Sequence, residues 1–165
     1  MGNLNLKYSG LNTISVTLAS LSPAAARESL AVNNTAVSPF PFIDAIVRLK
    51  VKLQAGTPTP GAAIAVYLSM SDDGGTWLDN STGTDAGITL RAPTNLVVPA
   101  PISQVFTQVS GALTWNGFIP SVATGFGGFL PPYWSIIVVN NTGIAFDATE
   151  ANHDKRYTGV YVQTN

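Results

Sequence analysis

The sequence predicts an all-β protein, namely a two-sheet antiparallel sandwich of jelly-roll type with eight or nine strands and little or no helix. Short runs with alternating apolar and polar residues recur along the chain, and turn-forming residues separate them roughly every ten residues. Frequent turns between short strands are typical of sandwiches and jelly rolls. In the 165 residues we expect an extended N-terminal arm over 1–10 and a single sandwich domain over 11–165.

Residues 46–54 give the clearest strand, with the sequence Ile-Val-Arg-Leu-Lys-Val-Lys-Leu-Gln. Successive side chains of a strand point to opposite faces, so four apolar side chains share one face and the basic ones share the other. A strand with one apolar face and one solvent-exposed polar face indicates an antiparallel sheet that is covered on one side. We expect this strand to form a hairpin with the alternating run 64–70, through a turn at 55–61.

The N-terminal quarter leaves two alternatives open. Residues 3–8 and 12–20 alternate, which fits two short strands or an extended arm followed by a strand. Residues 23–30 fit a short helix with Pro23 at its first position, but 27–32 fit a strand equally well.

The second half of the chain continues the strand pattern. Prolines interrupt the runs 88–90 and 96–98, which restricts those strands to sheet edges. Residues 133–139 are almost continuously apolar, so we expect a central strand buried on both faces. Further strands are predicted at 105–109, 113–118, 144–146 and 157–163.

The composition excludes several classes of partner. Only 10% of the residues are charged, compared with roughly 25% in an average soluble domain. The net charge of −1 supplies no field that attracts nucleic acid or an anionic membrane. No apolar run is long enough for a membrane span. We therefore predict neither a nucleic-acid nor a membrane partner.

The chain has no cysteine, which excludes disulfides and thiolate chemistry. The N-terminal residues lack a basic region followed by an apolar block, so we do not read them as a signal peptide. The expectation is a protein that stays in the cytoplasm or leaves it as part of a larger assembly.

Two groups of residues are candidates for reactive or metal-binding sites. Asp72, Asp73, Asp79 and Asp85 offer oxygen ligands for Ca²⁺, but they lack EF-hand spacing and are more typical of turns. His153 is the only histidine; no nucleophile-elbow motif accompanies it, so we read it as a solvated loop residue. We predict no catalytic residues, no metal and no cofactor.

Glycines and tryptophans offer two further candidates. The glycines of 125–128 lack the lysine and the helix of a phosphate-binding loop, so we expect them to pass close to neighbouring backbone. Trp77, Trp115 and Trp134 are residues of a kind that stacks on sugars, but in a sandwich they are more often core residues.

Four segments together resemble small tailed-bacteriophage virion structural proteins, a family that includes capsid decoration proteins. They are Glu28–Asn34, Ser71–Trp77, Ser121–Trp134 and Val138–Gly143, so the resemblance extends over most of residues 27–162. These motifs are turn and packing signatures, and they identify no functional residue.

The resemblance implies a non-enzymatic component of the virus particle, assembled in the host cytoplasm. The first expectation is a homo-oligomeric decoration (cement) protein that binds copies of itself and the major capsid protein and stabilises the head. The alternative is a tail, neck or baseplate component. We expect an exposed apolar patch around the proline-rich loops, with Phe40, Phe42, Pro99 and Pro101 as interaction residues. A carbohydrate-binding module that stacks sugars on Trp77 or Trp115 is the hypothesis from another class, and a hydrolase is more remote.

Overall fold

A computed structural model of the protein describes residues 3–37, 41–59, 61–92, 94, 96 and 113–164. These ranges contain nine strands, one helical turn (α1) and one turn of 3-10 helix. The strands are β1 (Leu4–Thr13), β2 (Ala26–Glu28), β3 (Val32–Asn33), β4 (Asp44–Lys52), β5 (Ile64–Ser71), β6 (Ala86–Ile88), β7 (Thr114–Ile119), β8 (Tyr133–Asn140) and β9 (Asp154–Thr164); α1 is Val122–Gly125 and the 3-10 turn is Glu150–Asn152. The strand predicted at 105–109 and most of the one at 96–98 lie outside the described residues.

The strands form two antiparallel sheets. Sheet A has the order β1-β9-β4-β7, and sheet B contains the other five strands. In sheet B, β5 pairs with β8 along its whole length, so β2 and β3 share the opposite edge of β8. Glu28 lies opposite Ile137 and Val32 lies opposite Trp134, a shift of one residue in the register. β2 and β3 therefore both pair with the same edge of β8, and a bulge separates them.

The order of pairing along the chain confirms the predicted sandwich. The pairs β1–β9, β2–β8 and β4–β7 nest inside one another in sequence order. Such nesting results when a long antiparallel ribbon wraps into two facing sheets, which is the jelly-roll arrangement.

The hydrophobic core lies between the sheets. Val47, Leu49 and Val51 of β4 are at most 5% exposed, as their alternation predicts. In β8, Trp134 to Val138 are fully buried, because strands flank β8 on both edges and protein covers both of its faces. The prediction of a central strand at 133–139 is confirmed.

The predicted hairpin between 46–54 and 64–70 is wrong. β4 pairs with β7 and β9 in sheet A, whereas β5 pairs with β8 in sheet B. The segment between β4 and β5 therefore crosses from one sheet to the other. Alternation reveals which face of a strand is buried, and it contains no information about which strand lies beside it.

The structure also bears on the two N-terminal alternatives. Residues 23–30 form no helix; of the alternative strand at 27–32, residues 27–28 belong to β2 and Val32 to β3, and residues 29–31 lie between them. Residues 14–18 alternate in burial and bury Ile14, Val16 and Leu18, but β1 ends at Thr13, so the strand predicted at 12–20 is wrong beyond that residue. The carboxylate of Glu150 accepts hydrogen bonds from the backbone N–H groups of Leu18 and Ala19, where a neighbouring strand would otherwise supply carbonyls.

The described part of the predicted arm belongs to the sheet. β1 pairs with β9 from Leu4 to Thr13, with one irregularity between Tyr8 and Leu11. A boundary at residue 10 therefore falls inside the edge strand of sheet A.

Candidate interaction surface

The structure corrects the prediction that Phe42 is a surface contact. Phe42 is 8% exposed, and its ring meets the ring of Tyr157 edge-on at 6.3 Å. Its backbone N–H and C=O both bond to the side-chain amide of Asn34 at 2.9 Å. These contacts fix Phe42 inside the chain's own core, because the loop before β4 folds inward. Phe40, Pro99 and Pro101 lie outside the described residues.

Three of the four acidic residues of the 72–85 region accept hydrogen bonds from other groups of the chain. Asp73 accepts hydrogen bonds from the backbone N–H groups of Gly75 and Thr76, each at 2.7 Å. The bonds from Thr76 and then Gly75 lower the pKa of Asp73 well below its usual range. Asp85 pairs with Arg27 at 2.7 Å, and Asp79 accepts the N–H of Arg91. Within the described ranges, no three acidic or histidine side chains form a metal-binding group.

His153 is buried, so its prediction as a solvated loop residue is wrong. The backbone N–H of Lys52 donates to Nδ1 of His153 at 3.3 Å, and Nε2 lies 3.1 Å from the carbonyl oxygen of Asp147. Because Nδ1 is the acceptor, we place the proton on Nε2, which donates to that carbonyl. His153 thus joins the end of β4 to the loop before β9.

Two of the three tryptophans are core residues. Trp115 is 4% exposed and Trp134 is fully buried, with its ring edge-on to Tyr157 at 5.4 Å. Trp77 is half-buried and donates from Nε1 to the carbonyl of Gly74. Burial removes Trp115 as a sugar-stacking platform.

The apolar side chains that are exposed concentrate on β1. We use the name β1 stripe for Leu4, Leu6, Tyr8 and Leu11, which are between 56% and 72% exposed. Leu6 lies opposite Val162 and Tyr8 opposite Val160 on β9, so the stripe lies on the outer face of sheet A. The alternation of Leu4, Leu6 and Tyr8 is visible in the sequence, but only the arrangement of the sheets shows that these side chains lie on an uncovered outer face.

A second exposed apolar group lies on the other side of β9 from this stripe. We use the name apolar end for Pro41, Ile43 and Phe129; Ile43 is 45% and Phe129 80% exposed. The N–H of Ile43 donates to the carbonyl of Val160, the residue opposite Tyr8, and the N–H of Leu130 donates to the carbonyl of Ile43. The backbone therefore links the apolar end to β9, and β9 lies between the apolar end and β1.

The rest of the outer face of sheet A carries paired charges. Asp154 accepts from Arg48 at 2.7 Å and from Arg156 at 2.9 Å. Burial alone raises the pKa of Asp154, but the two guanidinium groups outweigh it and leave the pKa below its usual value. Lys52 pairs with Asp147 at 3.2 Å. In this part of the face the three cations Arg48, Arg156 and Lys52 outnumber the two carboxylates of Asp154 and Asp147, whereas the β1 stripe and the apolar end carry no charge.

An open cleft of about 500 Å³ lies beside β2 and β6. Its lining includes Ala24, Ala26, Ile88, Leu90 and Val139, and it contains no ionisable side chain among its described residues. The cleft therefore offers volume and apolar contact, without a group that transfers protons.

No protein-family model matches the chain, and no curated protein matches it. In the part of the chain that the structure describes, no helix has both the length and the apolar character needed to cross a membrane.

Proposed function

We propose that the protein is a non-enzymatic structural component of a tailed-phage particle, with a capsid decoration protein as the first choice. The observation that carries the proposal is that two exposed apolar groups, the β1 stripe and the apolar end, flank the same strand β9. Exposed apolar side chains that cluster at one edge and one end of a sandwich are typical of a protein–protein contact surface.

Three further features support this function. Jelly rolls and sandwiches are common in virion proteins, although a shared fold is only an analogy for function. The scarcity of charged residues suits a surface that neighbouring subunits cover. The four segments at 28–34, 71–77, 121–134 and 138–143 resemble those of tailed-phage virion proteins.

The location of the chain in the particle tests the proposal. Particles are purified from infected cells, heads and tails are separated, and peptides of the chain are measured in each fraction by mass spectrometry. We expect the chain in the head fraction. Recovery with tails alone would replace the decoration role by the tail, neck or baseplate alternative, and absence from both fractions would overturn the virion proposal.

A pair of phenylalanines tests the contact surface. We expect Phe129→Ser to weaken binding of the purified chain to heads that lack it by about tenfold. The matched control is Phe118→Ser. Phe118 is also exposed, at 51%, but it lies on β7, which is the edge strand of sheet A on the side away from β1. Equal binding by both variants would exclude the apolar end from the capsid contact.

A further inference from the structure

The outer edge of β1 has the properties of a strand that pairs with another strand. With ten residues, β1 is the longest edge strand in the described part of either sheet. An edge strand turns half of its backbone N–H and C=O groups away from its only partner. Edge strands are usually protected by proline, by charge, by shortness or by a bulge, and the one irregularity of β1 comes after Tyr8, beyond its regular part at residues 4–8. β1 contains no proline, and Lys7 is its only charged residue.

We propose that the edge of β1 binds the β1 edge of a second copy of this chain, antiparallel and about a two-fold axis at Leu6. The two copies of sheet A then form one continuous eight-stranded sheet. This inference rests on the proposed function, in which copies of the chain lie side by side, and it names the partner of the β1 stripe.

The charge of Lys7 and the spacing of the apolar residues favour this register. A two-fold axis at Lys7 would place the two ammonium groups directly opposite each other, which is destabilising. With the axis at Leu6, Lys7 of one copy faces Asn5 of the other. The same register places Leu6 opposite Leu6 and Leu4 opposite Tyr8, so the apolar residues of the stripe before the irregularity meet each other on one face.

The contact area predicts the strength of this dimer. One strand pair buries less than the roughly 800 Å² per partner that is usual in stable complexes. We therefore expect a dissociation constant in the micromolar range, with monomer and dimer both present between about 1 and 500 µM. Sedimentation velocity of the full chain measures this equilibrium. A chain that stays monomeric over the whole range would overturn the proposal.

Cysteine substitution tests the register, because the chain contains no cysteine of its own. In Leu6→Cys the two thiols lie across one strand pair, where the Cα separation of about 4.5–5.5 Å permits a disulfide. The matched control is Leu11→Cys, which is similarly exposed but about 34 Å from its own copy in this register. We expect rapid disulfide formation by Leu6→Cys alone. Equal cross-linking of both variants, or of neither, would overturn pairing at Leu6.

A mixture of Leu4→Cys and Tyr8→Cys chains gives a second test of register. Each variant alone places its two thiols about 13 Å apart, whereas a dimer of one chain of each kind places the two thiols directly opposite each other. We expect the mixed disulfide and not the two symmetric ones; the reverse would overturn the register.

Leu6→Lys separates this inference from the proposed function. Leu6 is 61% exposed, so the variant should keep its fold while two lysines at the axis repel each other. We expect the dimer to be weakened by at least about tenfold in dissociation constant. A variant that dimerises like the wild type would overturn the pairing. Recovery of the chain in virus particles, measured separately, tests the virion function independently of this result.

Discussion

Several carboxylates of this protein accept hydrogen bonds from the backbone. Glu28 is 1% exposed, and both of its oxygens are occupied. Oε2 accepts from the N–H of Thr82 at 2.8 Å, while Oε1 accepts from the N–H of Gly83 at 2.9 Å and from the hydroxyl of Ser135 at 3.0 Å. Glu28 thereby attaches the loop before β6 to β8. The sequence shows a glutamate in an apolar segment, but it does not show these donors.

Replacement of Glu28 by glutamine should destabilise the fold. The amide nitrogen has no acceptor capacity, so one of the backbone N–H groups would lose its partner inside the protein. We expect a loss of about 1–3 kcal/mol in the free energy of unfolding, measured by urea denaturation. The control is Asp72→Asn at an exposed position of the neighbouring turn, which we expect to change stability by less than about 0.5 kcal/mol. Equal stabilities would show that water replaces the lost acceptor.

At the scale of elements, the loop before β4 packs closely against β9. Gly159 of β9 lies directly beneath the ring of Phe42, and a Cβ atom at this position would overlap the ring. The contact explains why Phe42 is a core residue although proline-rich sequence surrounds it. Neither residue indicates the other in the sequence, because the two are distant along the chain and meet only through the pairing of β4 with β9.

Gly159→Ala tests this contact. The added methyl group must displace the Phe42 ring, so we expect a loss of about 1–3 kcal/mol in the free energy of unfolding. Gly87→Ala is the matched control, since Gly87 also lies in a strand and an added Cβ meets no atom within 4 Å. The double variant Gly159→Ala/Phe42→Leu should lose less stability than the sum of the two single variants. Additive losses would contradict a direct clash.

At the scale of the whole molecule, the ionised carboxylates link stability to pH. The pKa values of Asp73, Asp85, Asp147, Glu150 and Asp154 all lie below their usual values. For Asp147 the largest cause of the lowered pKa is the hydrogen bond from the N–H of Thr149. Burial raises the pKa of Asp85, but the hydrogen bond from Thr17 and the other donors to Asp85 outweigh the effect of burial. Burial likewise raises the pKa of Glu150, and the hydrogen bond from Lys155 and the other donors to Glu150 outweigh it.

Acidification should therefore destabilise the protein. In the unfolded chain these groups titrate near pH 4, and in the native state they stay ionised at lower pH. Their contribution is complete above the unfolded values and is lost as the pH falls through the native ones. We expect the Tm to be constant from about pH 7 to 5 and to decrease towards pH 3, measured by calorimetry.

Asp73→Asn provides the control for this pH dependence. The variant lacks one of the titrating groups, so its Tm should decrease less between pH 7 and pH 3 than that of the wild type. An equal decrease in both proteins would assign the acid sensitivity to the remaining carboxylates.

The sequence by itself determined the fold class and the inward faces of β4 and β8, because burial follows from the two-residue period of a strand and from continuous apolar runs. The tertiary structure decided everything that depends on neighbours distant in the chain. It separated β4 from β5, buried Phe42 and His153, and left the β1 stripe uncovered at an edge. The physical reason is that side-chain periodicity encodes which face of a strand is apolar, whereas strand order depends on how the whole ribbon wraps.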